Sequence, residues 1–180
     1  MKKTSHAIVA ALLLGAAAFS ANAATVTHTP KTIDLSASAA KYGDSFSTGL
    51  AQATFTDVFN FHVSAKSLLS ADLTSTSSTA AVGLDLTNFL VYNSAGTLLY
   101  SGVQKSTGKV DNWKLSTPNL VLNTGNYYLQ VVGKVNSNSA GSFSGNIALK
   151  ALAVPEADTY AMLLAGLGLV GFVARRRKAA

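Results

Sequence analysis

The side chains able to do chemistry are few and widely spaced. Between Ala24 and Ala153 the acids are Asp34, Asp44, Asp57, Asp72, Asp85 and Asp111, and the histidines are His28 and His62. That stretch has no cysteine, glutamate or arginine. Zinc sites draw on three or four ligands, and neither a Cys pair nor an H-E-x-x-H motif occurs. Calcium takes six to eight oxygens from several carboxylates and carbonyls, whereas these aspartates stand singly along the chain. Glycoside hydrolysis would have to use two aspartates as its acid and base. Serine catalysis has its residue types but no G-x-S-x-G turn. The expectation is a protein that is not an enzyme, with no catalytic residue, no cofactor and no metal.

Two local features still suggest a role. In Phe55-Thr56-Asp57-Val58-Phe59, two aromatics share one face of a strand with an aspartate between them. The rings fill a core layer. The aspartate must then be satisfied by backbone N–H groups, by a lysine or by a cation, calcium being the sharpest form of the last. Second, Trp113 with Tyr92, Tyr100, Tyr127 and Tyr128 offers rings for stacking on sugars, or simply for packing. His62 falls on the outward parity of its strand and reads as a surface residue.

The elements that position these residues read as β throughout. In Ala53 to Ala65, Phe55, Phe59, Phe61 and Val63 share one parity, and polar residues dominate the other. Period-two alternation predicts a strand with one buried face. Leu68–Ser75, Val82–Leu86, Phe89–Tyr92, Thr97–Tyr100, Leu120–Leu122, Tyr127–Val135 and Ser142–Leu152 follow as further strands. In the last, Phe143, Ile147, Leu149 and Ala151 share a parity. Asn93-Ser94-Ala95-Gly96 predicts a hairpin turn. Lys41-Tyr42-Gly43-Asp44 reads as a turn, and Gly102 to Pro118 as the longest polar connection. Val26, Ile33 and Leu35 are candidate core residues of the lead-in. About eight short strands with regular turn signals predict an all-β antiparallel sandwich or jelly roll over residues 24–153.

Both ends carry different signals. Lys2 and Lys3 precede an apolar run, Ala7 to Phe19, and Ala21-Asn22-Ala23 supplies an A-x-A pattern. This is the form of a secretory signal peptide, residues 1–23, cut between Ala23 and Ala24. Its partners would be Sec-type export machinery and signal peptidase. At the other end, Val154-Pro155-Glu156 leads into an uncharged run, Tyr160 to Ala174, and then Arg175-Arg176-Arg177-Lys178. Fifteen helical residues rise about 23 Å, against a hydrocarbon core of about 30 Å. Snorkelling basic side chains extend the reach, which predicts a transmembrane helix over residues 160–174 with its cations on the cytoplasmic side. Gly166 to Gly171 fits G-x-G-x-x-G, but dinucleotide binding needs a preceding strand and an acidic residue about 20 positions later, and only nine residues follow Gly171.

The formal charge of +6 belongs to these ends. Six cations and two acids lie outside residues 24–153. What remains is eight lysines against six aspartates, a net +2 with no basic patch for nucleic acid. With no cysteine in the chain, the fold of this exported body must rest on its core alone.

The tripartite tail resembles the PEP-CTERM sorting signal of Gram-negative bacteria, with Ala157 where a second proline is usual. Phe55, Asp57 and Phe59 resemble the signature of the FxDxF group of PEP-CTERM proteins, which has no established activity to transfer. The turn Tyr92 to Leu98 and the later Gly125-Asn126-Tyr127-Tyr128-Leu129 are similar to pre-peptidase C-terminal sandwiches. The tail's resemblance implies an exosortase as partner, cleaving near Pro155-Glu156 and leaving the basic cluster behind. The body would first face the periplasm from the inner membrane, then reach the cell surface or the exopolysaccharide matrix of a biofilm. A structural or adhesive role is expected there, with carbohydrate binding as the alternative.

Overall fold

The computed structural model describes residues 24–115, 120–152 and 157–178. Alternation in the sequence becomes burial most cleanly in β4 (Thr54–Val63). Phe55, Asp57, Phe59, Phe61 and Val63 are buried, while Thr54, Thr56, Asn60 and His62 are exposed. On one side of β4 lies β11 (Gly125–Val135), antiparallel from Gly125 opposite Val63 to Lys134 opposite Thr54. Beyond it come β6 (Leu84–Asn93) and β7 (Leu98–Ser101). On the other side, β1 (Thr25–Val26) and β2 (Lys31–Ile33) pair with β4 in parallel.

The second sheet runs β3 (Ala39–Phe46), β12 (Gly141–Ala151), β5 (Ser67–Thr76), β9 (Val110–Leu115) and β8 (Val103–Ser106). A short β10 (Val121–Leu122) also pairs with β5. The chain repeatedly changes sheet, so sequence neighbours such as β4 and β5 lie in different layers.

Between the layers lies an aromatic core. Phe46 of β3 meets Phe55 of β4 at 4.3 Å between ring centroids, and Tyr42 of β3 meets Phe59 at 5.1 Å. Phe143 of β12 meets both Phe55 and Phe59. Each fully buried ring contributes about 1.5–3 kcal/mol relative to exposure. Gly145 of β12 lets the second sheet receive one of these rings. A Cβ there would collide with the Asp72 carbonyl and the Tyr42 ring.

The two-layer β architecture and the β6–β7 hairpin agree with the sequence expectations. Several details differ. There are twelve strands among the described residues instead of about eight, chiefly because β3, β8 and β9 fall in stretches that read as a turn and a polar connection. Not all ladders are antiparallel, since the lead-in lies parallel on β4. Lys41 to Asp44 is not a turn but the middle of β3. Gly43 sits so close to the Phe143 carbonyl that no side chain fits, and Tyr42 is buried. Gly102 to Pro118 is not mainly a loop, for β8 and β9 fall within it. Of the predicted core residues, Ile33, Phe143 and Ile147 are buried, Val26, Leu35 and Leu149 partly so, and Ala151 is exposed.

The tail forms one helix, α1 (Ala157–Lys178). Its side chains from Tyr160 to Arg177 are all exposed. Among the described residues no helix is long and apolar enough to cross a membrane, which corrects the transmembrane expectation. The physical reason is the brevity of the uncharged run, which is followed at once by arginines.

Candidate functional site

A polar cluster sits at the margin of the aromatic core where three separate segments meet. Asp57 takes the buried parity of β4 because that parity is set by Phe55 and Phe59 on either side. Asp44 comes from β3, the edge strand of the other sheet. His28 comes from the connection between β1 and β2, brought alongside because both short strands pair with β4. Its imidazole rests against Phe46 at 4.9 Å between centroids.

The distances are short. His28 Nδ1 lies 3.0 Å from Asp57 Oδ1 and 3.3 Å from Asp44 Oδ2. One ligand atom from each of the three residues falls within 4.8 Å of the others. Lys31 of β2 closes the solvent side, its Nζ 2.9 Å from Asp44 Oδ2 and 3.2 Å from the Gly43 carbonyl it donates to. The Lys31 side chain is 50% exposed and that of Asp57 is 2% exposed, so the cluster grades from wet to dry.

Asp57 is the member under electrostatic tension. Burial pushes its carboxyl above the usual range. His28 pulls it down, Asp44 raises it again, and Lys31 lowers it least. Its Oδ2 is buried and has no hydrogen-bond partner among the described residues. A buried carboxylate oxygen left unpaired is costly, and in native proteins it usually marks a missing ligand or water. A histidine nitrogen and two carboxylates form a donor set suited to a divalent ion.

The sequence reading did not bring these three residues together. His28, Asp44 and Asp57 share no local spacing; the pairing of β1 and β2 with β4, together with the packing of β3 against β4 across the core, brings them together. The one signal available in the sequence was an aspartate on an otherwise apolar parity. The remaining acids lie elsewhere. Asp34 accepts the Ser36 N–H in a local turn, Asp72 accepts from Asn146, and Asp111 is held by backbone groups of Leu86 and Gly108. His62 is exposed, as its parity implied, and its Nδ1 is 2.8 Å from Asn126 Oδ1.

The five aromatic residues do not form one platform. Trp113 packs against the core and its indole N–H donates to the Leu86 carbonyl at 3.1 Å. The Tyr100 and Tyr127 hydroxyls donate to the Val121 and Asn123 carbonyls. Tyr92 and Tyr128 remain together on the outer face of the β4 sheet. Their rings stack at 5.0 Å with an interplanar angle of 11°. Beside Tyr128 is a shallow depression of about 440 Å³ lined by Thr32, Asn60, His62, Ser94 and Asn126.

At the ends, Ala21, Ala23, Val154, Pro155 and Glu156 lie outside the described residues, as does the whole predicted signal peptide. Ala24 is described, and its carbonyl accepts the Thr54 N–H. Arg175, Arg176 and Arg177 are exposed on the last turns of α1, which ends at Lys178.

Comparison with known proteins bears mainly on this tail. None of the curated proteins matches the sequence. Among solved structures, the pre-peptidase C-terminal domain of the collagenase from Bacillus anthracis is similar. It shares 17% identity over 68% of this chain and 95% of its own, with a TM-score of 0.38. That likeness is too slight to carry an argument. Residues 153–178 match the PEP-CTERM protein-sorting motif. The chain therefore carries a PEP-CTERM signal, which supports an exosortase-targeted, exported protein anchored at the membrane before it is processed.

Proposed function

We propose that this protein is a structural or adhesive, non-enzymatic component of the cell surface or of the exopolysaccharide matrix. The observation that carries the reading is the sorting motif at residues 153–178, borne on a helix whose side chains from Tyr160 to Arg177 are all exposed. A tail meant for an enzyme in the membrane must be accessible and expendable. The strands from Thr25 to Ala151 supply the core, which among the described residues includes none of the helix. Removal of the tail would therefore leave the sandwich intact. The Phe55-Thr56-Asp57-Val58-Phe59 segment supports placing the chain in the FxDxF group of PEP-CTERM proteins. A secretory leader at residues 1–23, cut before Ala24, fits the same route.

The test is to express the full chain and a version ending at Leu152 in a host with an exosortase, then fractionate the cells. The full chain should lose its arginine cluster, read by mass, and accumulate at the surface or in the matrix. The shortened form should accumulate elsewhere. Identical partitioning of the two would refute sorting.

Carbohydrate binding is the second reading, favoured by the stacked Tyr92–Tyr128 pair beside amide and imidazole groups. Exposed aromatic faces stack on the apolar faces of sugars while nearby polar groups bond the hydroxyls. Titration with matrix polysaccharide should give an affinity that Tyr128→Ala abolishes. No binding to any soluble glycan would remove this reading.

A further inference from the structure

We propose that His28 Nδ1 and the Asp44 and Asp57 carboxylates bind a first-row divalent cation of the zinc class. Three observations converge. The donor atoms come from three separate segments yet lie within 4.8 Å of one another. The separations of 3.0 and 3.3 Å are those expected between neighbouring ligands of one ion. Bonds of about 2.0–2.1 Å in a tetrahedron place ligand atoms about 3.3 Å apart. Finally, Asp57, 1% exposed, has an oxygen with no partner among the described residues.

A network of protein charges alone leaves that oxygen unexplained. His28 Nδ1 lies within reach of Asp57 Oδ1 and Asp44 Oδ2, and Lys31 reaches only Asp44. Neither partner serves Asp57 Oδ2. An ion bound among the three groups would offset its charge directly and could take the second oxygen as well.

The donor set also selects the ion. Calcium requires six to eight oxygens, and this cluster brings two carboxylates and a nitrogen. Imidazole with carboxylate suits zinc and its neighbours. Three protein ligands leave a fourth position for water. Lys31 is the competitor, since its ammonium already neutralises Asp44. Its half-exposed side chain can swing into solvent when an ion enters.

The consequence is mechanical. His28 belongs to the lead-in, Asp57 to the first sheet and Asp44 to the edge of the second. A shared ion would clip the lead-in to both layers at the edge where the sandwich is otherwise closed only by short parallel strands. Such a clip is independent of how the protein is sorted.

The test uses the full chain in mild non-ionic detergent, freed of metal with a chelator. Zinc ion should raise the thermal midpoint of β unfolding by several degrees at one equivalent, with calcium ion at the same concentration giving no comparable rise. Cobalt(II) should give a visible absorption band that zinc removes. Asp57→Asn and His28→Gln should each abolish the zinc response, and His28→Gln, on a partly exposed connection, guards against a folding defect in the other. Lys31→Ala should tighten zinc binding several-fold, because it removes the competing cation. A mere ion-pair network would show no zinc response and would be weakened by Lys31→Ala. No zinc response, a response that survives Asp57→Asn, or a larger response to calcium would overturn the proposal.

Discussion

Asp57 and Asp111 are each 1% exposed, yet they are buried on opposite terms. Asp111, on β9, is fully served by the backbone. Its Oδ2 accepts the Leu86 N–H and its Oδ1 accepts the Gly108 N–H, both at 2.9 Å. The Leu86 bond crosses from one sheet to the other, so this carboxylate acts as a tie between layers. Asp57, on β4, has one imidazole and an orphaned oxygen. The contrast teaches that burial of an acid does not by itself indicate a site. What separates a structural acid from a binding acid is the count of partners. Charge-assisted bonds to fixed N–H groups finish the first, and the second remains unfinished within the protein alone.

Three measurements would break or sharpen this contrast. The largest effect is expected for Asp111→Ala. It strands two backbone donors, one of them fully buried, and should cost about 3 kcal/mol or more in urea unfolding. A loss under about 1 kcal/mol would mean the tie is not structural.

Next comes Tyr42, a buried polar group that is satisfied, like Asp111, and packs against Phe59. Its hydroxyl donates to the Asp72 carbonyl at 2.6 Å. Burial first, and Asp72 second, raise its pKa well above the ordinary value. The native state therefore keeps this proton where the unfolded chain loses it. The stability it contributes is complete below about pH 10 and is lost as pH rises toward the folded pKa. The decline should reach about 1.4 kcal/mol per pH unit. Tyr42→Phe should flatten that part of the alkaline stability profile.

The smallest effect is expected for Asp57→Asn in metal-free protein. It removes a charge that burial opposes while keeping the shape, and it loses a charge-assisted bond to His28. These changes offset each other, so stability should move by less than about 1 kcal/mol. If instead it falls as far as in Asp111→Ala, the two acids are alike and the contrast fails.

The site and the fold were legible to different degrees. Phe55, Phe59, Phe61 and Val63 declared β4 because alternation is a local property of a strand with one buried face. The hairpin at Asn93 to Gly96 was equally plain, since turn chemistry is local too. Tyr42 and Gly43 misled, because glycine beside aspartate signals a turn unless a neighbouring strand needs that space. Trp113 misled in another way: its ring suggested a sugar platform, but its N–H is committed to Leu86 across the sandwich. The tail's short uncharged run suggested a membrane span that the helix, among the described residues, does not provide.

What the sequence determined alone is whatever depends on near neighbours. That includes the β character of the body, the buried parity of Asp57 and the ordered signals of the sorting tail. Only the tertiary structure decided which polar groups meet. His28, Asp44 and Asp57 lie on three segments whose convergence follows from parallel pairing of the lead-in with β4 and from β3 facing it across the core. Pairing between distant strands is set by the joint burial of many side chains, so no short stretch of sequence encodes it.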